Sequence, residues 1–251
     1  MIKLIVLDLD KTLLNDRMEI SLFSLNVLKR CQKLNYKVII ATARSEVSTL
    51  YGLNGYQPNA LICNNGALGI TENEKFAKCI SSKNVDRVIR YLAERKEVQT
   101  VKVTTPQKEY SNKENVVKNG VLYTYRDFSK KPLNEEAYKI MISVNAELGL
   151  EIMTKFSCKY EQVRGERNYI ITRADVNKAD AVRRIACCYN VKLEEVVAFG
   201  DDTSDIAMLE LCGAGVAMEN ALDNVKEAAD YVCGNNDEDG VARWLEKHLL
   251  V

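Results

Sequence analysis

The chain has 251 residues, enough for one large domain or two modest ones with a buried core. Lys plus Arg equals Asp plus Glu at 35 each, so the overall charge makes no case for nucleic acid or an anionic membrane as partner. Hydrophobic residues make up 47%, yet no apolar run approaches the roughly 20 residues that span a bilayer, and Met1-Ile2-Lys3-Leu4 leads into a strand rather than a secretory leader, so a cytoplasmic protein is expected.

The first strand is expected over Ile5-Val6-Leu7, an apolar run of the kind buried in a parallel sheet, and it ends in Asp8-Leu9-Asp10. Ser21 reads as the N-cap of a helix through about Leu34, with Leu25, Leu28, Cys31 and Leu34 at helical spacing and Asn35 as its stop. Tyr36 to Ala41 is a second buried strand, ending in Thr42-Ala43-Arg44-Ser45, and Glu46 to Tyr51 reads as helical. Ala60 to Cys63 is a third strand, closed by the turn Asn64-Asn65-Gly66-Ala67.

From about Ser81 the texture changes to strands with short helices. Val85 to Arg95 is an amphipathic helix, Thr100 to Thr104 alternates as a half-exposed strand does, and Tyr138 to Ala146 reads as another strand, with Glu147 to Met153 unassigned. Cys158 to Val163 and Tyr169 to Thr172 form a hairpin about Arg164-Gly165-Glu166. The β/α alternation resumes with a helix from Lys178 to Tyr189, whose apolar face is Ala181, Ile185 and Cys188. A strand over Glu195 to Gly200 ends in Asp201-Asp202-Thr203-Ser204-Asp205. A helix from Ile206, a strand Gly215 to Met218, a helix Val225 to Ala229, a strand Tyr231-Val232 and a last helix after Asp239-Gly240 complete the chain.

The expected fold is therefore α/β: a doubly wound, mostly parallel, Rossmann-like sheet built from residues 1–80 and 176–251, with an α+β insert over 81–175. The insert has a small excess of basic residues and the remainder of acidic ones, an asymmetry that suits an anionic substrate and that surface scatter explains equally well.

Eight cysteines are scattered without a C-x-x-C pair and the single histidine is His248, which argues against a zinc site and against Ser-His-Asp or Cys-His catalysis. Most of the cysteines read as small core residues. Chemistry, where there is any, falls to carboxylates. Ligands of such sheets bind outside the carboxyl ends of the strands, and those ends carry Asp8 and Asp10, Thr42, and Asp201, Asp202 and Asp205, with Lys178 opening the helix before the last of them. Singly, each is an ordinary strand end, cap or turn. Together they read as a site for metal and phosphate: hard oxygen ligands that favour Mg²⁺, hydroxyl and ammonium donors for phosphate oxygens, and a carboxylate near the metal that can act as nucleophile.

The pattern resembles the haloacid dehalogenase superfamily of phosphohydrolases, Cof-like subclass IIB, over nearly the whole chain. The motifs are Asp8-Leu9-Asp10-Lys11-Thr12-Leu13-Leu14, Ala41-Thr42-Ala43-Arg44, Lys178, and Gly200 to Asp205 followed by Ile206-Ala207-Met208-Leu209, with the family's later stretches at Gly215–Ala221 and Asp237–Val241. The resemblance implies that Asp8 attacks phosphorus and becomes an aspartyl-phosphate while Asp10 protonates the leaving group and then activates water. It implies Mg²⁺ held by Asp8, the backbone carbonyl of Asp10 and Asp201, with Asp205 in support. It implies a phosphoryl group held at Leu9, Thr42, Ala43, Lys178 and Ser204, and an insert that serves as a cap reading the substrate. Lys11 and Ala43 stand where relatives usually have Gly, and Ser204 where they usually have Asn. Asn64-Asn65-Gly66, Arg164 and Arg167 are candidates for reading the substrate, against a plainer reading as surface residues. The implied partner is a small phosphorylated metabolite, with no nucleic acid or membrane. A phosphomutase of the same cap subclass and a non-enzymatic phospholigand-binding protein are the competing functions.

Overall fold

The computed structural model describes residues 1–144 and 155–250. The chain divides into two compact units, Met1–Phe76 with Asn177–Val251, and Ala77–Val176.

The first unit opens with β1 (Leu4–Leu7), all four residues buried. Helix α1 (Leu22–Lys33) follows, its Ser21 N-cap accepting from the Ser24 backbone N–H, and it ends where Asn35 turns left-handed at φ 68°. Then come β2 (Lys37–Ala41), α2 (Glu46–Leu53), β3 (Ala60–Cys63), β4 (Leu68–Thr71) and β5 (Lys75–Ala77). The last two form an antiparallel edge that the sequence did not predict.

The second unit begins with α3 (Ser82–Ala93) and β6 (Val98–Thr104). After these come β7 (Glu109–Ser111), β8 (Val117–Lys118), β9 (Val121–Leu122), β10 (Thr124–Tyr125), β11 (Lys139–Val144), β12 (Cys158–Gln162) and β13 (Asn168–Arg173). Its six-stranded sheet runs β10-β7-β6-β11-β13-β12, antiparallel except for β10 beside β7. Val85, Val88, Ile89 and Leu92 of α3 share a core with Val101, Val103, Ile140, Ile142 and Ile171 of the sheet. The alternating positions Lys102 and Met141 pair on the sheet's other face. Gly165 turns the β12–β13 hairpin at φ 72°. The strand predicted over Tyr138 to Ala146 is seen as β11 as far as Val144, and its last two residues and the unassigned Glu147 to Met153 lie outside the described residues.

The chain re-enters the first unit with α4 (Lys178–Cys188), β14 (Val196–Gly200), α5 (Ile206–Leu211), β15 (Ala214–Ala217), α6 (Asp223–Ala228), β16 (Tyr231–Val232) and α7 (Gly240–Leu249). Ala181 and Ile185 of α4 are buried as expected. Cys188 is not: it is exposed, at the C-terminal residue of the helix, and donates its thiol to Glu74.

The sheet of this unit runs β16-β15-β14-β1-β2-β3-β4-β5 and is parallel from β16 to β3. The chain winds outward from β1 to β3 on one side and from β14 to β16 on the other. The strand order therefore reverses between β1 and β14, the crevice where doubly wound sheets bind ligands. The register is level: Leu7 is opposite Phe199 on one side and Ile40 on the other. The residues that follow β1, β2 and β14 emerge side by side.

Candidate active site

Asp8 follows β1, and its backbone N–H donates to the Phe199 carbonyl at 3.0 Å, which continues the ladder one residue past the strand. Asp201 follows β14. Asp205 lies one turn further on, under Gly200, where a Cβ would come within 2.8 Å of the Asp205 side chain. Lys178 is the first residue of α4, set by the Asn177 side chain, which caps the Asp180 N–H. All four side chains are buried.

Lys178 Nζ donates to Asp8 Oδ1 at 2.6 Å and to Asp205 Oδ1 at 2.7 Å. Asp205 Oδ2 accepts the backbone N–H groups of Asp201 and Asp202, both at 3.1 Å, so Asp205 is held on both oxygens. Thr12 Oγ1 donates to Asp201 Oδ1 at 3.2 Å. Burial works against the charged form of Lys178, but Asp205 and Asp8 more than offset it and raise its pKa. Asp8 is pushed well above the usual carboxylate range, first by burial and then by Asp205 and Asp201, with Lys178 opposing. The two directions agree, because three buried carboxylates share one ammonium. The ammonium keeps its proton, and Asp8 is the carboxylate whose negative charge the cluster disfavours.

The repulsion among these carboxylates is what a cation would relieve. Asp8, Asp201 and Asp205 each offer an oxygen within 4.8 Å of the others. The donors are hard and include neither sulfur nor imidazole, so the set fits a hard divalent cation. Asp205 has its oxygens engaged by Lys178 and by two N–H groups, which leaves Asp8 and Asp201 as the better placed pair and Asp205 as their brace.

The carboxylate of Asp10 stands apart from this cluster. Arg44 Nε donates to Asp10 Oδ2 at 2.9 Å and Arg44 Nη2 to Oδ1 at 2.6 Å. Lys11, where relatives usually have Gly, adopts the left-handed conformation that Gly adopts freely (φ 59°), and its side chain is exposed. Its carbonyl is held by Asn220 Nδ2 at 2.8 Å. Asn236 Nδ2 holds the Leu14 carbonyl at 3.0 Å, and Asp237 Oδ1 accepts the Asp16 N–H at 2.7 Å. The two late stretches of the sequence thus fix the loop that carries Asp8 and Asp10.

Thr42 follows β2 and is buried. Its N–H donates to the Ile62 carbonyl, its hydroxyl accepts the Arg44 N–H at 3.1 Å, and its carbonyl accepts the Asn65 N–H at 3.0 Å. Leu9 and Ala43 lie beside Asp8 and Thr42 in these loops, and Ser204 is half-buried between Asp201 and Asp205. Arg164 is half-buried and Arg167 exposed, both around the β12–β13 turn. Two residues that the sequence left without a role, Arg44 and Thr12, hold Asp10 and Asp201. The available signal was a cation in the motif otherwise read for Thr42 and a hydroxyl in the motif otherwise read for Asp8 and Asp10.

Asn64-Asn65-Gly66 is corrected from surface turn to buried loop. All three residues are buried and left-handed, at φ 53°, 57° and 99°. The loop ties the Thr42 segment to the start of α4: Asn64 N–H donates to the Arg44 carbonyl at 2.8 Å, and a Cβ on Gly66 would stand 2.1 Å from the Asn177 carbonyl oxygen. Gly66→Ala is expected to lower the melting temperature by roughly 4–10 °C, from ~2–3 kcal/mol of overpacking and strained backbone. An unchanged melting curve would show that the loop yields without cost.

Residues 5–245 match the family model described as haloacid dehalogenase-like hydrolase. Among curated proteins, the chain is 29% identical to 5-amino-6-(5-phospho-D-ribitylamino)uracil phosphatase YitU of Bacillus subtilis, over 98% of this chain and 97% of that one. It is 27% identical to phosphatase YwpJ of the same organism, over 99% and 100%. Among solved structures, TM0651 from Thermotoga maritima superposes with a TM-score of 0.85 at 29% identity, covering 98% of this chain and 97% of that one.

Proposed function

The chain belongs to the haloacid dehalogenase-like hydrolase family and is a phosphatase; from that premise we propose that it is a Mg²⁺-dependent phosphohydrolase that frees phosphate from a small phosphorylated metabolite through an aspartyl-phosphate on Asp8. The observation that carries this reading is the buried Asp8 carboxylate at the strand-order reversal, bound by Lys178 on one oxygen and within 4.8 Å of two further carboxylates.

In this reading Asp8 attacks phosphorus. Asp10 gives a proton to the leaving oxygen and afterwards takes one from the hydrolytic water. Lys178, the Thr42 hydroxyl, the Leu9 and Ala43 backbone and Ser204 hold the phosphoryl oxygens. Asp8, the Asp10 carbonyl and Asp201 would hold Mg²⁺, with Asp205 fixing the Asp201 backbone and Lys178. When bound, the ion supplies positive charge where negative charge builds on the phosphoryl group. The Ala77–Val176 unit is the proposed reader of the substrate's leaving part. The name of YitU describes a phosphate ester of a ribityl chain, so phosphorylated polyols and sugars are the first substrates to try.

The test is inorganic phosphate release across a panel of such esters, with Mg²⁺ and after exhaustive chelation. Release that needs Mg²⁺ is expected. Undiminished turnover without metal would remove Mg²⁺ from the reading, and isomerised sugar phosphate without free phosphate would replace the hydrolase with a mutase.

A further inference from the structure

Asp10 is gripped more tightly than a proton carrier needs. Both of its oxygens accept from one guanidinium, at 2.9 and 2.6 Å, a bidentate fork. The fork is the fixed partner: the Arg44 side chain is 8% exposed and that of Asp10 is 42% exposed. Arg44 Nη1 donates to the Ser48 carbonyl on α2 at 3.3 Å and lies against Gly52, where a Cβ would stand 2.5 Å from it. The Arg44 backbone is bound at both ends, its N–H to Thr42 Oγ1 and its carbonyl to the Asn64 N–H. A residue anchored in four directions sets the geometry of a more exposed one, and a planar fork does so in a way that Lys cannot copy.

We propose that Arg44 is a latch on Asp10. It holds the carboxyl group in one orientation, and the chemistry proceeds when one of the two bonds is let go. The inference rests on the reading of Asp8 as nucleophile and Asp10 as proton carrier. As the bond from Asp8 to phosphorus forms, the bond from phosphorus to the leaving oxygen breaks. Its electron pair stays on that oxygen, which takes a proton from the Asp10 carboxyl. Water then attacks phosphorus, its proton passes to the Asp10 carboxylate, and Asp8 is released. Each transfer requires one Asp10 oxygen directed at the reacting group. A carboxyl held on both oxygens presents neither, whereas a carboxyl held on one presents the other in a fixed direction. Arg44 is thus a positioning residue that acts through Asp10 and passes from two bonds to one during turnover.

The experiment uses leaving groups that differ in their need for a proton. 4-Nitrophenyl phosphate expels an anion that is stable without one, and a primary alkyl phosphate does not. The first-turnover release of phenol or alcohol is measured for wild type, Arg44→Met, Arg44→Lys, Asp10→Asn and the double variant Asp10→Asn/Arg44→Met, with the fold checked by circular dichroism. Arg44→Met is expected to slow alkyl release by about 10- to 100-fold, as misdirected groups do, and nitrophenol release by less than about threefold. Arg44→Lys, which keeps one bond, recovers part of the loss. The double variant is no slower than Asp10→Asn alone, because the latch has nothing left to hold. Equal losses on both leaving groups, or losses that multiply in the double variant, would overturn the latch. Should Arg44→Met not fold, Arg44→Lys decides by the same asymmetry. If Asp10→Asn itself shows no preference between leaving groups, the assignment of Asp10 fails, a result distinct from failure of the latch.

Discussion

Asp8→Asn is expected to reduce phosphate release by a factor on the order of 10⁴ or more, the scale on which enzymes respond to loss of a nucleophile. The amide has nearly the shape of the carboxylate and keeps an oxygen to accept from Lys178, so the local geometry survives. The charge does not, and in the proposed mechanism the charge is what forms the bond to phosphorus. The same substitution makes an opposite prediction for stability. Burial and two neighbouring carboxylates raise the Asp8 pKa, so folding favours its protonated form. In metal-free protein that contribution is present at acid pH and is lost as pH rises through the raised Asp8 pKa. Asn cannot ionise, so metal-free Asp8→Asn is expected to melt no lower than wild type at neutral pH. Thermal scans in a chelator and phosphate release in Mg²⁺ check the two halves separately. A dead and unfolded variant would deny Asp8 its place as nucleophile in a site that tolerates the amide.

Lys178→Met is expected to fail in both respects. Lys178 supplies the ammonium in the cluster and binds two of its three carboxylates. Removing one partner of a buried ion pair costs about 3–5 kcal/mol, because the remaining charges stay buried without compensation. For a chain of this size that is on the order of 10 °C in melting temperature. Met fills most of the volume, so the loss reports on charge rather than on a cavity. A divalent cation replaces part of the missing charge, and the variant is expected to gain more from Mg²⁺ in a melting scan than wild type does, while phosphate release stays lost. A variant that melts with wild type and ignores Mg²⁺ would show that the cluster is not held together by Lys178.

Much of this site could be read from the chain because each of its parts follows a buried strand. Asp8, Thr42 and Asp201 come directly after apolar runs that periodicity identifies, and a parallel sheet in level register brings such positions together without any further signal. What was missed depends on side-chain direction. Nothing in the spacing of Asp10 and Arg44 says that their side chains meet, 34 residues apart in the chain. Helix α2 shows the same limit: it turns Ser48, Thr49 and Gly52 inward and leaves Val47, Leu50 and Tyr51 exposed. Arg44 accounts for part of that inversion, since it needs the Ser48 carbonyl and the space above Gly52. The edge strands β4 and β5, and the two- and three-residue strands β7 to β10, are too short to carry a period. In β4, Gly69 weakens the strand signal further, and its missing side chain makes room for the Phe76 ring. Asn64-Asn65-Gly66 read as a surface turn because its composition is that of one. Its burial follows from its lying between two loops that the sequence shows only separately.

The ties of the Asp8 loop to the far end of the chain set the order in which the enzyme becomes competent. Thr12 meets Asp201 across 189 residues and Leu14 meets Asn236 across 222. On a ribosome adding about 5–20 residues per second, the Asp8 segment waits on the order of 10–45 s for the partners that shape it. Contacts of such long range form late. The Asp8 segment thus leaves the exit tunnel well before the partners that fix it, and an unfinished chain holds the Asp8 carboxylate without the contacts that shape its loop.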